Sequence, residues 1–320
     1  MDTDTDLLIV GGGPAGCAAA LMAASVGMRS VLIESDEDLC GALRRIPVLG
    51  NVLGFTSGPG LAAAIEADVA RCDPCRVALG RRATRVDAFD DRVEVTVEPT
   101  GAHASRLTAP YAVVATGVGP LRPEEAGWLS GAEGRALSPL READAEELTD
   151  RTVLVLGADR PLGTLTRAHP ELTTRLLVAH PPEDAYKTEE IRGDSRVEPV
   201  AVRRLAFGSS PAGSSPAPIT AEVMTVEGER RTLTADIAFL NMGSAPAPPG
   251  GALAADPSGY CPPSRQHPRV FTAGDLRSAR FQRIATAMGS GGEAALGAYY
   301  ASRGLPTDIG AMAPDGAGGD

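Results

Sequence analysis

Gly11, Gly13 and Gly16 make a G-x-G-x-x-G turn directly after the apolar run 7–10, and Glu34 follows the next apolar run, 31–33. That set of residue types suits one task, the holding of a dinucleotide. Gly11 permits a tight turn out of a strand, Gly13 lets a pyrophosphate approach the backbone, and Gly16 lets a helix pack closely on that strand. The helix entered through Pro14 and Ala15 and expected over 17–26 offers free N–H groups and a partial positive charge to phosphate. Glu34 stands where a carboxylate accepts both ribose hydroxyls, which favours FAD or NAD over NADP, whose 2′-phosphate it would repel. A glycine turn in an ordinary α/β domain leaves Glu34 unexplained.

Other residues capable of chemistry have no such setting. Cys72-Asp73-Pro74-Cys75 is a Cys-x-x-Cys, read either as a relocated redox pair or as two loop cysteines. A zinc site would need two further ligands at suitable spacing, and none is evident, so no metal is expected. Cys17 reads as a packing residue, Cys261 as a strand edge, and Cys40 as either reactive or structural. His103, His169, His180 and His267 form no Ser/His/Asp arrangement and read as surface or satisfied histidines. Arg44 and Arg45 are adjacent cations, able to receive an acidic substrate or simply to solvate a loop.

The elements that must hold these residues belong to a chain of 320 residues, long enough for two domains with real cores. Hydrophobic content of 43% and charged content of 22% are ordinary for a globular protein. A net charge of −11 argues against nucleic acid or an anionic membrane as partner. No apolar run approaches a bilayer span. The acidic start, 1–6, is no signal peptide, and the odd count of five cysteines fits a reducing compartment, so a cytoplasmic protein is expected.

Along the chain, 35–60 reads as a long connection without regular structure and 61–70 as a helix. The stretches 83–89, 92–97 and 105–109 read as a β-meander, and 111–117 as a buried strand ending in a glycine turn. Residues 120–150 read as a connection with one short helix. The first pattern then recurs: strand 152–157, a helix from Pro161, strand 176–179, a meander over 199–207, 219–226 and 231–234, and a buried strand 236–240. Residues 208–218 are a Ser/Pro/Gly loop and 243–251 a second linker. The strand 269–275 and a helix over 284–301 close the chain. Two Rossmann-like lobes follow from this repetition, the second inserted into the first.

With the glycine turn, Ala115-Thr116-Gly117 and Ala273-Gly274-Asp275 in that order, the chain resembles the low-molecular-weight thioredoxin reductases and their relatives. The resemblance implies an α/β fold of two Rossmann-like three-layer domains, an FAD domain carrying an inserted, degenerate NAD(P)-type domain, each with a β-meander. It assigns 1–119 and 245–305 to the FAD domain and 120–244 to the inserted domain; 306–320, which lacks a hydrophobic pattern, reads as a disordered tail. It implies a homodimer. It also implies that Gly41, Leu43 and Asn51 belong to a loop under the isoalloxazine, near Arg44 and Arg45. Asp275 corresponds to the aspartate that hydrogen-bonds the ribityl chain, and Gly274, Thr116 and Gly117 are expected to bind the cofactor as well. Arg283, Ile284 and Ala285 lead into the last helix, whose N-terminus faces the flavin pyrimidine ring; a cation at Arg283 would stabilise negative charge there.

The departures are informative. Where the family carries its redox Cys-x-x-Cys, this chain has Leu140 and Ala143, with only the following aspartate kept, as Asp144, the family's proton donor. The second glycine turn reads 157–163, with Ala158 and Asp159 in place of glycines, and its next strand ends His180-Pro181-Pro182 without an arginine. The expectation is therefore an FAD-dependent oxidoreductase acting directly on a small organic substrate. Its flavin would be reoxidised by oxygen or an external acceptor, without dithiol relay or NADPH. Asp144 would move a proton, Arg44 and Arg45 would orient substrate, and Leu140 and Ala143 would open apolar space beside the flavin. The alternatives are a catalytically silent FAD-binding scaffold and a flavoprotein reduced by another protein.

Overall fold

The computed structural model describes residues 5–99, 104–208 and 218–307. The chain divides into two compact units, one taking its residues up to Gly119 and from Pro246 onward, the other Pro120–Ala245.

The first unit is built on a five-stranded parallel sheet in the order Val270–Thr272, Tyr111–Val114, Leu7–Val10, Ser30–Ile33, Cys75–Ala78. The run Leu7–Val10 is buried at every residue, as expected of a parallel strand covered on both faces. Its side chains alternate between two cores. Leu7 and Ile9 join Ala19, Ala20, Ala23, Leu61, Ile65 and Ala295 on the helical face. Leu8 and Val10 join Val86, Val93, Val95 and Val97 of the meander on the other. The helices Pro14–Ser25, Gly58–Ala70 and Ile284–Ser302, the sheet and the meander thus form three layers.

The second unit repeats the scheme. Ser138–Pro139, Ile237–Leu240, Thr152–Leu156, Arg175–His180 and Val197–Phe207 run parallel, followed by antiparallel Ile219–Thr225 and Arg230–Ala235. The two glycine turns superimpose in their bonding. Gly11 has φ +103° and Gly157 φ +100°, a region closed to most side chains. The Gly11 amide donates to the Ile33 carbonyl at 2.8 Å, the Gly157 amide to that of Ala179 at 2.7 Å. The Ala115 and Asn241 amides donate to the Val10 and Leu156 carbonyls, both at 2.7 Å.

Four sequence expectations change. The connection 35–60 contains a short helix, Gly41–Arg44, and yields its end to the helix Gly58–Ala70, because the Ser57 hydroxyl caps it by accepting the Gly60 amide at 3.3 Å. Residues 120–150 are not a connection: Leu129–Ser130 and Ser138–Pro139 pair into the second unit's sheets. The meander expected from 199 begins earlier, because the single strand Val197–Phe207 serves both the parallel sheet and the antiparallel one. The linker 243–251 contributes Gly250–Gly251 to the first meander, paired to Arg85 and Val86. The loop 209–217, His103 and the tail beyond 307 lie outside the described residues.

Candidate functional site

The parallel strands of the first unit end together, so the Gly11 turn, the 115–117 turn and Ala273-Gly274-Asp275 lie along one edge of the sheet. In such sheets ligands bind outside the carboxyl ends of the strands, where the strand order reverses. The reversal falls between Leu7–Val10 and Tyr111–Val114. Each glycine of the turn has a separate reason. A Cβ on Gly16 would stand 1.8 Å from the Gly11 carbonyl oxygen, which closes that position to other residues. At Gly13 a Cβ would meet nothing within 4 Å, so the backbone there faces open space.

Gly12, passed over as a variable position of the motif, is equally constrained. Its amide donates to Glu34 Oε2 at 2.5 Å, and a Cβ on it would meet Leu39 Cδ2 at 2.6 Å. The other Glu34 oxygen accepts the Ser35 hydroxyl and the Asp36 amide, each at 2.9 Å. Glu34 is thus locked onto the turn, and with about four acceptor positions on a carboxylate it still has room for ribose hydroxyls.

The remaining cofactor positions divide. Thr116 Oγ1 is buried without a hydrogen-bond partner among the described residues, at the foot of the edge. The Gly274 amide donates to Ser290 Oγ at 2.8 Å, tying the turn that carries Asp275 to the last helix. That helix crosses the first at Gly291, where a Cβ would stand 2.0 Å from the Ala15 carbonyl oxygen. Gly117 and Ile284 are half-buried, and Asn51, Ala285 and Arg283 are exposed. Gly41 opens the short helix that carries Arg44. Leu43 is corrected: at 2% exposure it packs in the core and presents no side chain to a ligand. The bare backbone at Gly13, the orphaned Thr116 hydroxyl and the amides of Ala15 and Gly16 at an uncapped helix start fit a dinucleotide such as FAD.

The expected catalytic groups fare less well. Arg44 is corrected from a free substrate cation: its Nη2 lies 2.6 Å from Glu66 Oε2 and its Nε donates to the Leu39 carbonyl at 3.2 Å. Arg45 is exposed. The Arg283 amide donates to the Thr286 hydroxyl at 3.2 Å, which starts the last helix with the guanidinium outside. Asp144 caps the helix Ala145–Leu148 by accepting the Glu146 amide at 3.1 Å. Leu140 is 2% exposed and packs with Leu148, Val153 and Phe239, with Ala143 against them. Leu140 fills the second unit's own core and Ala143 packs half-buried against it, so within that unit they open no apolar space.

Asp159 occupies in the second turn the place that Gly13 holds in the first. Asn241 Nδ2 clamps that turn, donating to the Gly157 carbonyl at 3.2 Å and the Asp159 carbonyl at 2.8 Å. The Asp159 carboxylate faces Lys187 Nζ at 4.0 Å, and Lys187 holds Asp184 at 2.9 Å. Lys187 is the chain's only lysine, a signal open to sequence reading but tied to no motif. It rides on the 3-10 segment Pro182–Ile191, an element the sequence did not announce. His180 is buried, with Nδ1 donating to the Pro181 carbonyl at 2.9 Å. His169 Nδ1 lies 3.3 Å from Glu171 on the surface, and His267 Nδ1 accepts the Arg269 amide at 3.3 Å. Among the described residues no group of three or more His, Cys, Asp or Glu is placed to hold a metal, and no helix is long and apolar enough to cross a membrane.

The profile of the pyridine nucleotide-disulphide oxidoreductase family matches residues 5–159. A thioredoxin reductase of Peptoclostridium litorale is 25% identical, covering 92% of this chain and 96% of the relative. A ferredoxin–NADP reductase of Granulibacter bethesdensis is 27% identical, covering 73% of this chain and 68% of the relative. The crystal structure of Lactococcus lactis thioredoxin reductase in its FR conformation has the same fold, with a TM-score of 0.75 and 19% identity over 94% of this chain and all of that one. The matched profile and the two reductases support an oxidoreductase, and the crystal structure shows the fold.

Proposed function

We propose that this chain is an FAD-dependent oxidoreductase that takes electrons directly from a small organic substrate and yields them to oxygen or an external acceptor, using neither a dithiol relay nor NADPH. The contrast between the two glycine turns carries the reading. Gly13 leaves bare backbone at the first, whereas the second sets an ion-paired carboxylate, Asp159, at the same place. Phosphate is drawn to free amides and repelled by a carboxylate. The apolar side chains of Leu140 and Ala143, packed in a core, support the absence of a relay there.

Bound FAD would supply two-electron exchange with the substrate and with the acceptor. The chain's residues do the rest. The Gly11 to Gly16 turn holds the pyrophosphate, and Glu34, fixed by Gly12, holds the ribose. Arg283, at the start of a 19-residue helix, adds a cation to the helix's positive end and stabilises negative charge brought against it. Arg45 orients an acidic substrate, Arg44 being engaged by Glu66. The proposal carries a homodimer in the cytoplasm.

The purified protein should be yellow. After photoreduction it should regain its colour in air, and NADPH under argon should leave the colour unbleached for minutes. Rapid bleaching by NADPH overturns the reading. A silent FAD-binding scaffold is the second reading, favoured by the engagement of Arg44 with Glu66 and of Asp144 with its helix. A screen of thiols, amines and alcohols for bleaching separates the two.

A further inference from the structure

The proposed function uses none of the cysteines, yet the fold brings two of them together beside the first glycine turn. Cys17 lies in the first turn of the helix Pro14–Ser25, and Cys40 immediately precedes the helix Gly41–Arg44. Both attach to one carbonyl: the Cys40 amide donates to Gly12 O at 2.9 Å, and the Cys17 sulfur lies 3.3 Å from the same oxygen. Each thiol also acts on the ionisation of the other, Cys40 raising Cys17 and Cys17 lowering Cys40. Both are almost wholly buried in the same core, at 0% and 1% exposure. Cys40 holds φ +58°, a left-handed conformation that strains a residue with a Cβ. Asparagine or glycine would take that position with less strain; a cysteine stands there.

We propose that Cys17 and Cys40 form an oxidisable dithiol at the dinucleotide turn, with Cys40 as the attacking sulfur, Cys17 as the resolving one, and hydrogen peroxide as the oxidant. The Cys40 thiolate attacks one peroxide oxygen; the O–O bond breaks, a sulfenic acid forms, and the departing hydroxide takes a proton as water. The Cys17 sulfur then attacks Cys40, the S–O bond breaks, the S–S bond forms and a second water leaves. Two thiols are oxidised by two electrons and one peroxide is reduced to two waters.

The surroundings favour this division of roles. The hydrogen bond from Cys17, then the Arg44 charge, hold the Cys40 thiol below its ordinary range against burial and the charges of Glu66 and Glu34. The same hydrogen bond and burial push Cys17 up. Burial raises Cys72, Cys75 and Cys261 as well, so Cys40 is the one sulfur shifted towards the thiolate, which is the nucleophile. A peroxide-sized oxidant suits a site so closed.

Closing the disulfide draws Cys17 away from the Gly12 carbonyl, on the residue whose amide fixes Glu34. The oxidised protein should therefore hold FAD at least tenfold more weakly, a consequence that rests on the FAD reading while the disulfide does not.

The test is peptide mapping of the reduced, desalted full chain after brief exposure to hydrogen peroxide and alkylation. The expected result is a Cys17–Cys40 cross-linked peptide pair and the loss of two of the five free thiols, retained in a Cys72→Ala/Cys75→Ala variant. Cys17→Ser should leave a sulfenic acid on Cys40 that dimedone traps. If Cys17 and Cys40 both remain alkylatable after peroxide, or only Cys72 and Cys75 are linked, the proposal is overturned; the wild-type map decides even if a variant fails to fold. A colourless protein that still forms the pair overturns the FAD reading alone. A linked pair with unchanged flavin retention on filtration overturns the coupling.

Discussion

The Gly12 amide and the Glu34 carboxylate meet at 2.5 Å, which joins the glycine turn to the end of the second strand before any ligand arrives. The ribose-binding carboxylate is therefore held in place in advance, and binding need not order it.

Glu34→Gln keeps the shape but removes the charge from that bond. A hydrogen bond to a charged group is worth about 1.5–3 kcal/mol, so FAD affinity should fall roughly tenfold to a hundredfold by calorimetry on the apoprotein. Gly12→Ala should do more damage, since its Cβ would meet Leu39 Cδ2 at 2.6 Å. Overpacking of this kind costs about 1–3 kcal/mol, read as a lower Tm and a colourless protein.

At the crossing of the first and last helices, Gly291→Ala would set a Cβ 2.0 Å from the Ala15 carbonyl oxygen, and backbone cannot step aside as a side chain can. The helices must part, and each kcal/mol lost should lower Tm by roughly 2–4 °C in a unit of this size. Gly289→Ala is the control, because its Cβ would meet nothing within 4 Å. Equal melting of the two variants would refute the crossing.

In the second unit, Asp159→Gly removes the carboxylate and leaves Lys187 still held by Asp184 at 2.9 Å. The turn would then lose the carboxylate that repels phosphate and keep a neutral Lys187–Asp184 pair beside it. ADP-ribose, as a probe of pyrophosphate binding, should bind the variant at least tenfold more tightly than the parent chain in a calorimetric titration.

Asp194 and Arg196 bind the end of the helix Pro161–Ala168 to the start of the strand Val197–Phe207: Arg196 donates to the carbonyls of His169 at 2.6 Å and Thr166 at 2.8 Å, and to Asp194 at 2.7 Å. The hydrogen bond from Arg196 holds the Asp194 carboxyl below the usual carboxylate range. The folded chain thus takes up this proton less readily than the unfolded one. Its contribution is full above the ordinary carboxylate pKa and is lost as pH falls through the depressed value. Asp194→Asn should lower Tm at neutral pH and flatten its decline in acid, measured by thermal melts from pH 7 to pH 3.

The sequence made the repeated strand–turn–helix units legible because their signals are local: apolar runs of four, glycines at a positive φ, and an acid at a strand end. What it hid depends on contacts between distant residues. Gly12 looked like a spacer because the atoms that forbid a side chain there belong to Glu34 and Leu39. Arg44 looked free because Glu66 lies a helix away in the chain. Leu140 looked like the wall of an opening because its burial comes from Leu148, Val153 and Phe239. Cys17 and Cys40 read as two unrelated cysteines until Gly12 brought them together.

The insertion of one unit within the other reverses the order of completion during synthesis. The strand Val270–Thr272 and the helix Ile284–Ser302, both parts of the first unit, leave the ribosome after the whole of the second. Residues 120–245 can collapse as a finished body while the nascent glycine turn still lacks the sheet edge and the helix that seat it. The strand Leu7–Val10 and its turn are thus among the last to reach their native neighbours, and a stop codon shortly before Ile284 would leave the second unit whole and the first without the helix that packs on Pro14–Ser25.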